Sequence, residues 1–190
     1  MKNRNVRMVR IYSIAYQTLV TLMRILFGFG WFMAGLTKIT GKAGETSWFQ
    51  HPGEFLTQYL SASLMKPQVP HFYKIFIEHF CLDWVMSFNY IIPIVQMTVG
   101  ILLILGVWIL PLVLITMFMH INFILSGNMN LLSLTLYTSA FGILMNLKKA
   151  HTISVPRLIS RLMRNKGDKS KASSVLPDHP VLSPQKVAEL

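Results

Sequence analysis

The sequence is short of cysteine, of acidic residues and, through a long middle stretch, of any charge. One cysteine in 190 residues, Cys81, rules out an internal disulfide and with it a small secreted scaffold stapled by such bonds. Charged residues make up 13% of the chain, where soluble domains carry about 25%. No Asp, Glu, Lys or Arg occurs from Trp84 through Asn146, and a soluble core has no need of so long an uncharged run. Also missing are a CxxC pair, an HxxEH-type motif, a phosphate-binding loop, a haem-attachment motif and a dinucleotide fingerprint. The residues His71, His79, Cys81 and Asp83 concentrate metal-ligating types, but only His79 and Asp83 have the spacing that shares a helical face. Two ligands fall short of the usual three or four, so no metal is expected.

What the chain has is apolar surface, 53% of its residues being hydrophobic. A bilayer crossing takes about 20 residues at 1.5 Å each to cover about 30 Å of hydrocarbon. The uncharged run has room for three such segments with their turns, and another apolar stretch lies near the N-terminus. Hydrophobic length predicts spans at Thr18–Thr37, Tyr90–Gly106, Leu110–Leu125 and Leu131–Leu147. Gly106 with Pro111 breaks the second from the third, and the polar run Ser126-Gly127-Asn128-Met129-Asn130 turns the third into the fourth. The expected fold is all-α, an integral membrane four-helix bundle.

Charge orients it. The 18 Lys and Arg outnumber 7 Asp and Glu, for a net charge of +11, but they sit at the two ends. Lys2, Arg4, Arg7 and Arg10 precede the first apolar stretch, and Lys148, Lys149, Arg157 and further basic residues follow the last. Between Lys38 and Asp83 the signs balance. Cytoplasmic flanks collect Lys and Arg, so both termini are expected inside a cell membrane, with a basic N-terminus over 1–17, a membrane domain over 18–147 and a basic tail over 148–190. This placement explains the basic pI by the bilayer, without a nucleic-acid partner. Arg24 interrupts the first apolar stretch and no small-residue cleavage site follows, so the segment reads as a retained span instead of a signal peptide.

The outer segment, 39–88, holds helical candidates at Glu54–Met65 and His71–Phe88. The second carries Phe72, Phe76, Phe80, Trp84 and Phe88 at four-residue intervals, an aromatic face suited to the bilayer boundary. Past Lys149, His151–Arg164 reads as a basic surface helix, and the Lys-, Ser- and Pro-rich remainder from Asn165 reads as disordered.

Several polar residues stand inside the apolar segments. Arg24 shares one helical face with Gly28, Trp31, Gly35 and Lys38, and a charge at mid-bilayer costs roughly 2.5 to 3.5 kcal/mol on insertion scales. It either snorkels to the cytoplasmic side or faces the bundle toward an acceptor or a carbonyl-bearing ligand. Gln96 shares a face with Pro93 and Gly100, where its amide serves as interhelical glue or as a ligand contact. His120, one turn after Thr116, is either a packed, hydrogen-bonded residue or a proton carrier with an unperturbed pKa of about 6.5. Asn122, Gly127, Asn128 and Asn130 shape the outer turn. Gly28, Gly35, Gly100 and Gly127 are expected at close packing positions.

The run Arg24-Ile-Leu-Phe-Gly28-Phe-Gly-Trp31-Phe-Met-Ala-Gly35-Leu-Thr-Lys38 resembles the first helix of the DoxX-like (DoxX/DoxD) membrane proteins. Gln96-Met-Thr-Val-Gly100 followed by Gly106 is similar to that family's second helix, and Asn122-Phe-Ile-Leu-Ser-Gly127 to its third. The resemblance implies a four-helix membrane protein associated with thiosulfate:quinone redox chemistry. Gln96 departs from the pattern, which commonly has an acid there, so the resemblance implies no obvious ion-pair partner for Arg24 and favours an accessory role over catalysis.

Three functional expectations follow. The first is a quinone-interacting accessory subunit, with no covalent cofactor, in which Arg24, Trp31, Lys38, Gln96, His120 and Asn122 are the ligand-binding candidates and no catalytic residue is assigned. The second is an assembly partner for a membrane or peripheral redox subunit, or for a second copy of the chain. The third, less favoured for want of a repeat, is a small transporter.

Overall fold

A computed structural model describes residues 2–41, 47–129, 131–152, 154–157, 159–160 and 163–164, and among them the backbone is helical with no strand. The chain divides into two units, Met1–Val155 and Pro156–Leu190. In the second, Ser160 Oγ donates to the Arg157 carbonyl at 2.9 Å within helical backbone. Asn130 and the tail from Asn165 lie outside the described residues, as do Gly44 and Glu45.

The first unit is built on α1 (Lys2–Thr40) and α4 (Val85–Leu105). Both have a stretch long and apolar enough to cross a membrane, Arg7–Thr40 and Val85–Leu105. The first span was expected over Thr18–Thr37; instead α1 runs unbroken through the basic N-terminus, because nothing between Lys2 and Thr40 stops it, neither proline nor a paired glycine. At 39 residues it is about 58 Å long, well beyond a bilayer's hydrocarbon.

α1 and α4 touch backbone to backbone. A Cβ on Gly28 would sit 2.8 Å from the Gly100 carbonyl oxygen, one on Gly35 would sit 2.6 Å from that of Pro93, and one on Gly100 would sit 2.5 Å from the Phe32 nitrogen. Small residues at this seam give the close approach that the sequence pattern predicts. The register sets Gly35 against Pro93 and Met97 and Phe32 against Gly100, so Gln96 falls between those two contacts.

α5 (Ile109–Leu125) and α6 (Leu131–Met145) complete the wall around a core of Val20, Phe27, Trp31, Val99, Leu103 and Val113, and the short α7 (Leu147–Ala150) closes one end. The turns out of α4 and α5 have the same form. Gly106, with φ 75°, follows α4, with Gly106 N–H bonding the Leu103 carbonyl and Val107 N–H the Leu102 carbonyl. Gly127, with φ 76°, follows α5, with matching bonds to Ile124 and Phe123. Only glycine adopts such a left-handed conformation without strain, and the paired bonds satisfy the last helical carbonyls.

The outer segment folds as a cap over the other end. It comprises α2 (Glu54–Met65), as expected, and α3 (His71–Phe76) running into a π turn at Ile77–Cys81. The single helix His71–Phe88 is not formed. After the π turn the chain bends at Leu82–Trp84, so Val85–Phe88 are the first turn of α4 and that helix begins before Tyr90. A second core of Trp48, Leu56, Leu60, Val69, Tyr73 and Ile77 holds the cap together without a disulfide.

Candidate functional site

Arg24 is 2% exposed, so its guanidinium does not reach solvent. It donates from one terminal nitrogen to the Ala150 carbonyl at 2.7 Å and from the other to the Ile104 carbonyl at 3.2 Å. Both acceptors lie at helix C-termini, where unsatisfied carbonyls and the helix dipole concentrate negative potential. The fork is packed against Gly106, on which a Cβ would collide with it. Ile104 is two turns beyond Gln96 on α4, about 12 Å along the axis, so the structure holds these two polar groups at different levels. Arg24 is thus a clamp between helix ends, combining the two options its position left open: it points toward the end of the bundle yet stays covered.

Of the other buried polar residues, Trp31, Thr116 and His120 line one crevice and Gln96 lies outside that lining. Trp31 from α1, Gln96 from α4, and Thr116 and His120 from α5 are all buried. The His120 ring stacks on Tyr137 of α6, with centroids 5.8 Å apart and planes 22° apart, and meets Trp31 edge-on at 6.4 Å. Trp31 in turn meets Phe27 edge-on at 6.3 Å. Thr116 Oγ1 turns back to the Val113 carbonyl at 2.7 Å. Two atoms here have no hydrogen-bond partner, the Trp31 indole N–H and the Gln96 side-chain oxygen. A buried polar atom left so costs roughly 1 to 3 kcal/mol, so such atoms call for a reason.

A crevice runs between α1, α5 and α6, with Trp31, His120 and Thr116 in its floor and Met117, Leu136 and Tyr137 along its rim. It contains about 150 Å³ of empty space, part of it open to the surroundings, and no point of it is wide enough for a water molecule. A ring of quinone size therefore enters only if the α6 rim, Leu136 and Tyr137, moves outward.

The remaining candidates lie at the cap end. Lys38 Nζ donates to the Ala34 carbonyl at 3.0 Å and stands 5.5 Å from the Trp48 ring. Asn122 accepts from the Tyr73 hydroxyl at 3.0 Å on its side chain and 3.1 Å on its carbonyl. Tyr59 and Ser126 share a hydrogen bond of 2.5 Å, and Gly127 carries the turn against Lys66 and Val69. Burial raises the pKa of this cluster's hydroxyls: Tyr59 is pushed up by desolvation, against the lowering effect of Ser126 and Asn128. Tyr73 is pushed up by desolvation and then by Cys81 and Tyr59. Desolvation brings the Cys81 thiol up to about 11. These groups are protonated at neutral pH and act here as hydrogen-bonding and packing elements.

Among the described residues no group of three or more His, Cys, Asp or Glu stands close enough to hold a metal ion. Two residues of the interior were not singled out from the sequence. Asn89 lies seven residues before Gln96, on the same face of α4, and donates to the Trp48 carbonyl at 2.8 Å; the missed signal was that spacing, hidden by starting the helix too late. Tyr137 has no periodic marker, since the hydroxyl residues of α6 that recur at helical spacing, Thr135, Thr138 and Ser139, lie on another face of that helix.

No family model, curated protein or solved structure matches this chain.

Proposed function

We propose that this is a four-span membrane protein of the DoxX-like kind whose mid-bundle group, Trp31, Gln96 and His120, receives the headgroup of a lipid-soluble quinone as an accessory part of a membrane redox system. The observation that carries the ligand reading is the orphaned indole N–H of Trp31 in the crevice, beside a stacked His120–Tyr137 pair, with a second orphaned atom, Gln96 Oε1, on the packed face of α4. The indole N–H would donate to a quinone carbonyl oxygen, and the Gln96 oxygen would accept from the hydroxyl of the reduced form. His120 is the side chain of this set whose chemistry includes proton transfer. The role is accessory because Gln96 stands where the family that the chain resembles commonly has an acid. Arg24 and Lys38 enter this reading as structural cations; neither is placed on the ligand.

The membrane reading draws support from what the outward faces present. Leu19, Leu22, Leu26 and Phe29 on α1, Leu114, Phe118 and Ile121 on α5, and Leu134, Phe141 and Met145 on α6 are all exposed. α5 and α6 have 17 and 15 residues, about 25 and 22 Å, a shortfall that local thinning of the bilayer accommodates. With the basic ends at the α7 side and the balanced cap at the other, both termini lie in the cytoplasm.

The test is to purify the protein from its native membrane in mild detergent, extract it with organic solvent and quantify quinone by mass spectrometry. Quinone retained in stoichiometric amount by the parent and lost in Trp31→Phe and Gln96→Leu is the expected result. No enrichment over bulk lipid in the parent sinks the ligand reading. The alternative, an assembly partner for another membrane subunit, predicts a protein that co-purifies after crosslinking in membranes.

A further inference from the structure

The cap's α3 and π turn carry a second feature that the ligand reading does not use. Phe72, Phe76, Phe80 and Trp84 are exposed, Phe72 by 64% and Trp84 by 57%. From Phe76 onward they form a ladder: Phe76 and Phe80 stack at 5.1 Å, Phe80 and Trp84 lie at 6.5 Å, and Phe80 meets Phe88 of α4 at 5.9 Å, while Phe72, one turn before Phe76, meets Tyr73 edge-on at 6.3 Å. A four-residue interval in an α-helix advances 40° past a full turn, so such a stripe would wind away. The π turn, marked by the Leu82 N–H to Ile77 carbonyl bond at 3.0 Å, winds more slowly and offsets that drift, keeping the rings in line.

The element has three sides. Tyr73, Ile77 and Cys81 are buried in the cap core. Lys74 and Glu78, one turn apart, lie on another side, with Glu78 exposed. The aromatic side continues through Phe88 into the outward face of α4, where Ile91, Ile94 and Ile101 are exposed along a helix long and apolar enough to cross a membrane. That helix is 21 residues, about 31 Å, and has an exposed tryptophan just outside each end: Trp84 before it and Trp108, 74% exposed, after it. Tryptophans collect at the two borders of a bilayer of this thickness.

We infer that α3 with its π turn is an in-plane membrane element whose Phe72–Phe76–Phe80–Trp84 ladder inserts into the boundary of the outer leaflet, with the Glu78 side in water. The occupant is lipid because the ladder leads through Phe88 to the exposed Ile91, Ile94 and Ile101 of α4, with His79, Asp83 and Ser87 the exposed polar residues along the way. The inference rests on the membrane-spanning part of the proposed function and is independent of quinone. It gives the cap a task, holding the outer end of the bundle at a fixed depth.

The experiment uses the full chain in lipid nanodiscs, with nitroxide labels at Phe76→Cys, Glu78→Cys and Ile94→Cys; the unlabelled parent checks that buried Cys81 stays unmodified. Collision with oxygen, which concentrates in lipid, is compared with collision with a water-soluble nickel chelate. Oxygen is expected to dominate at positions 76 and 94 and nickel at 78. Nickel dominating at 76 while oxygen dominates at 94 overturns the ladder and leaves the span standing, pointing to a protein partner for the cap. Nickel dominating at 94 overturns the membrane reading itself. As a check that leaves the phenylalanines in place, the parent and Trp84→Phe are compared in discs of lipid brominated high on the acyl chain. A larger loss of emission in the parent supports the insertion, and equal loss in both overturns it.

Discussion

The two ends of the bundle solve one problem with different residues. At the α7 end, α4 stops at Gly106 and a cation, Arg24, takes the carbonyls of Ile104 and Ala150. At the cap end, α5 stops at Gly127 and a cation, Lys66, approaches the carbonyls of Ser126 and Gly127 at 3.5 and 3.4 Å. Both glycines take the same backbone form, and both cations complement a helix dipole. The difference is burial. Arg24 is a planar fork fixed by two bonds inside the protein, whereas Lys66 is a half-buried point charge on a flexible stem over the Tyr59 ring. The same chemistry is therefore structural at one end and marginal at the other.

The comparison is most exposed at Arg24. Arg24→Ala removes both bonds and leaves two carbonyls uncovered in an apolar setting, so the detergent-solubilised protein should lose roughly 3 kcal/mol of stability in a denaturant titration. Gly106→Ala comes next. Its Cβ meets a guanidinium that cannot withdraw, and it combines left-handed strain with overpacking for about 2 to 4 kcal/mol. Gly127→Ala suffers the strain but meets the flexible Lys66 stem and, less closely, a Val69 methyl, so about 1 to 2 kcal/mol is expected. Equal losses at the two glycines would show that the cations do not distinguish the ends. Lys66→Ala should cost about 0.5 kcal/mol, read in the same titration.

The smallest effect separates the ends by pH. Cys81, in the cap, is raised from 9.0 to about 11 by burial, so its folded form holds the proton longer than the unfolded chain does. Between those values the unfolded state binds fewer protons, and stability falls as pH rises from 9 toward 11. Cys81→Ala should flatten that fall, as measured by the denaturation midpoint against pH, while Arg24→Ala should leave it unchanged.

Much of the α1–α4 seam was legible in the chain. Gly28 and Gly35 on one helix and Gly100 on the other lie at helical spacing, and that spacing is all a close crossing needs. Helix stops at Gly106 and Gly127 were legible for a similar local reason. The junction at Leu82–Trp84 was not, because the aromatic interval of four continues smoothly across it and only the packing of Tyr73, Ile77 and Cys81 into the cap decides where the π turn falls. Gln96 and Trp31 could be placed on helix faces, but their heights relative to each other depend on the α1–α4 register, which no single helix encodes.

The sequence by itself determined where apolar helices run, where glycine ends them and which flanks are basic, since each follows from local spacing and hydropathy. Only the tertiary structure decided what Arg24 does. A buried cation must find acceptors, and with no acid between Trp84 and Asn146 the nearest were two carbonyls at the ends of helices that meet only when the chain is folded.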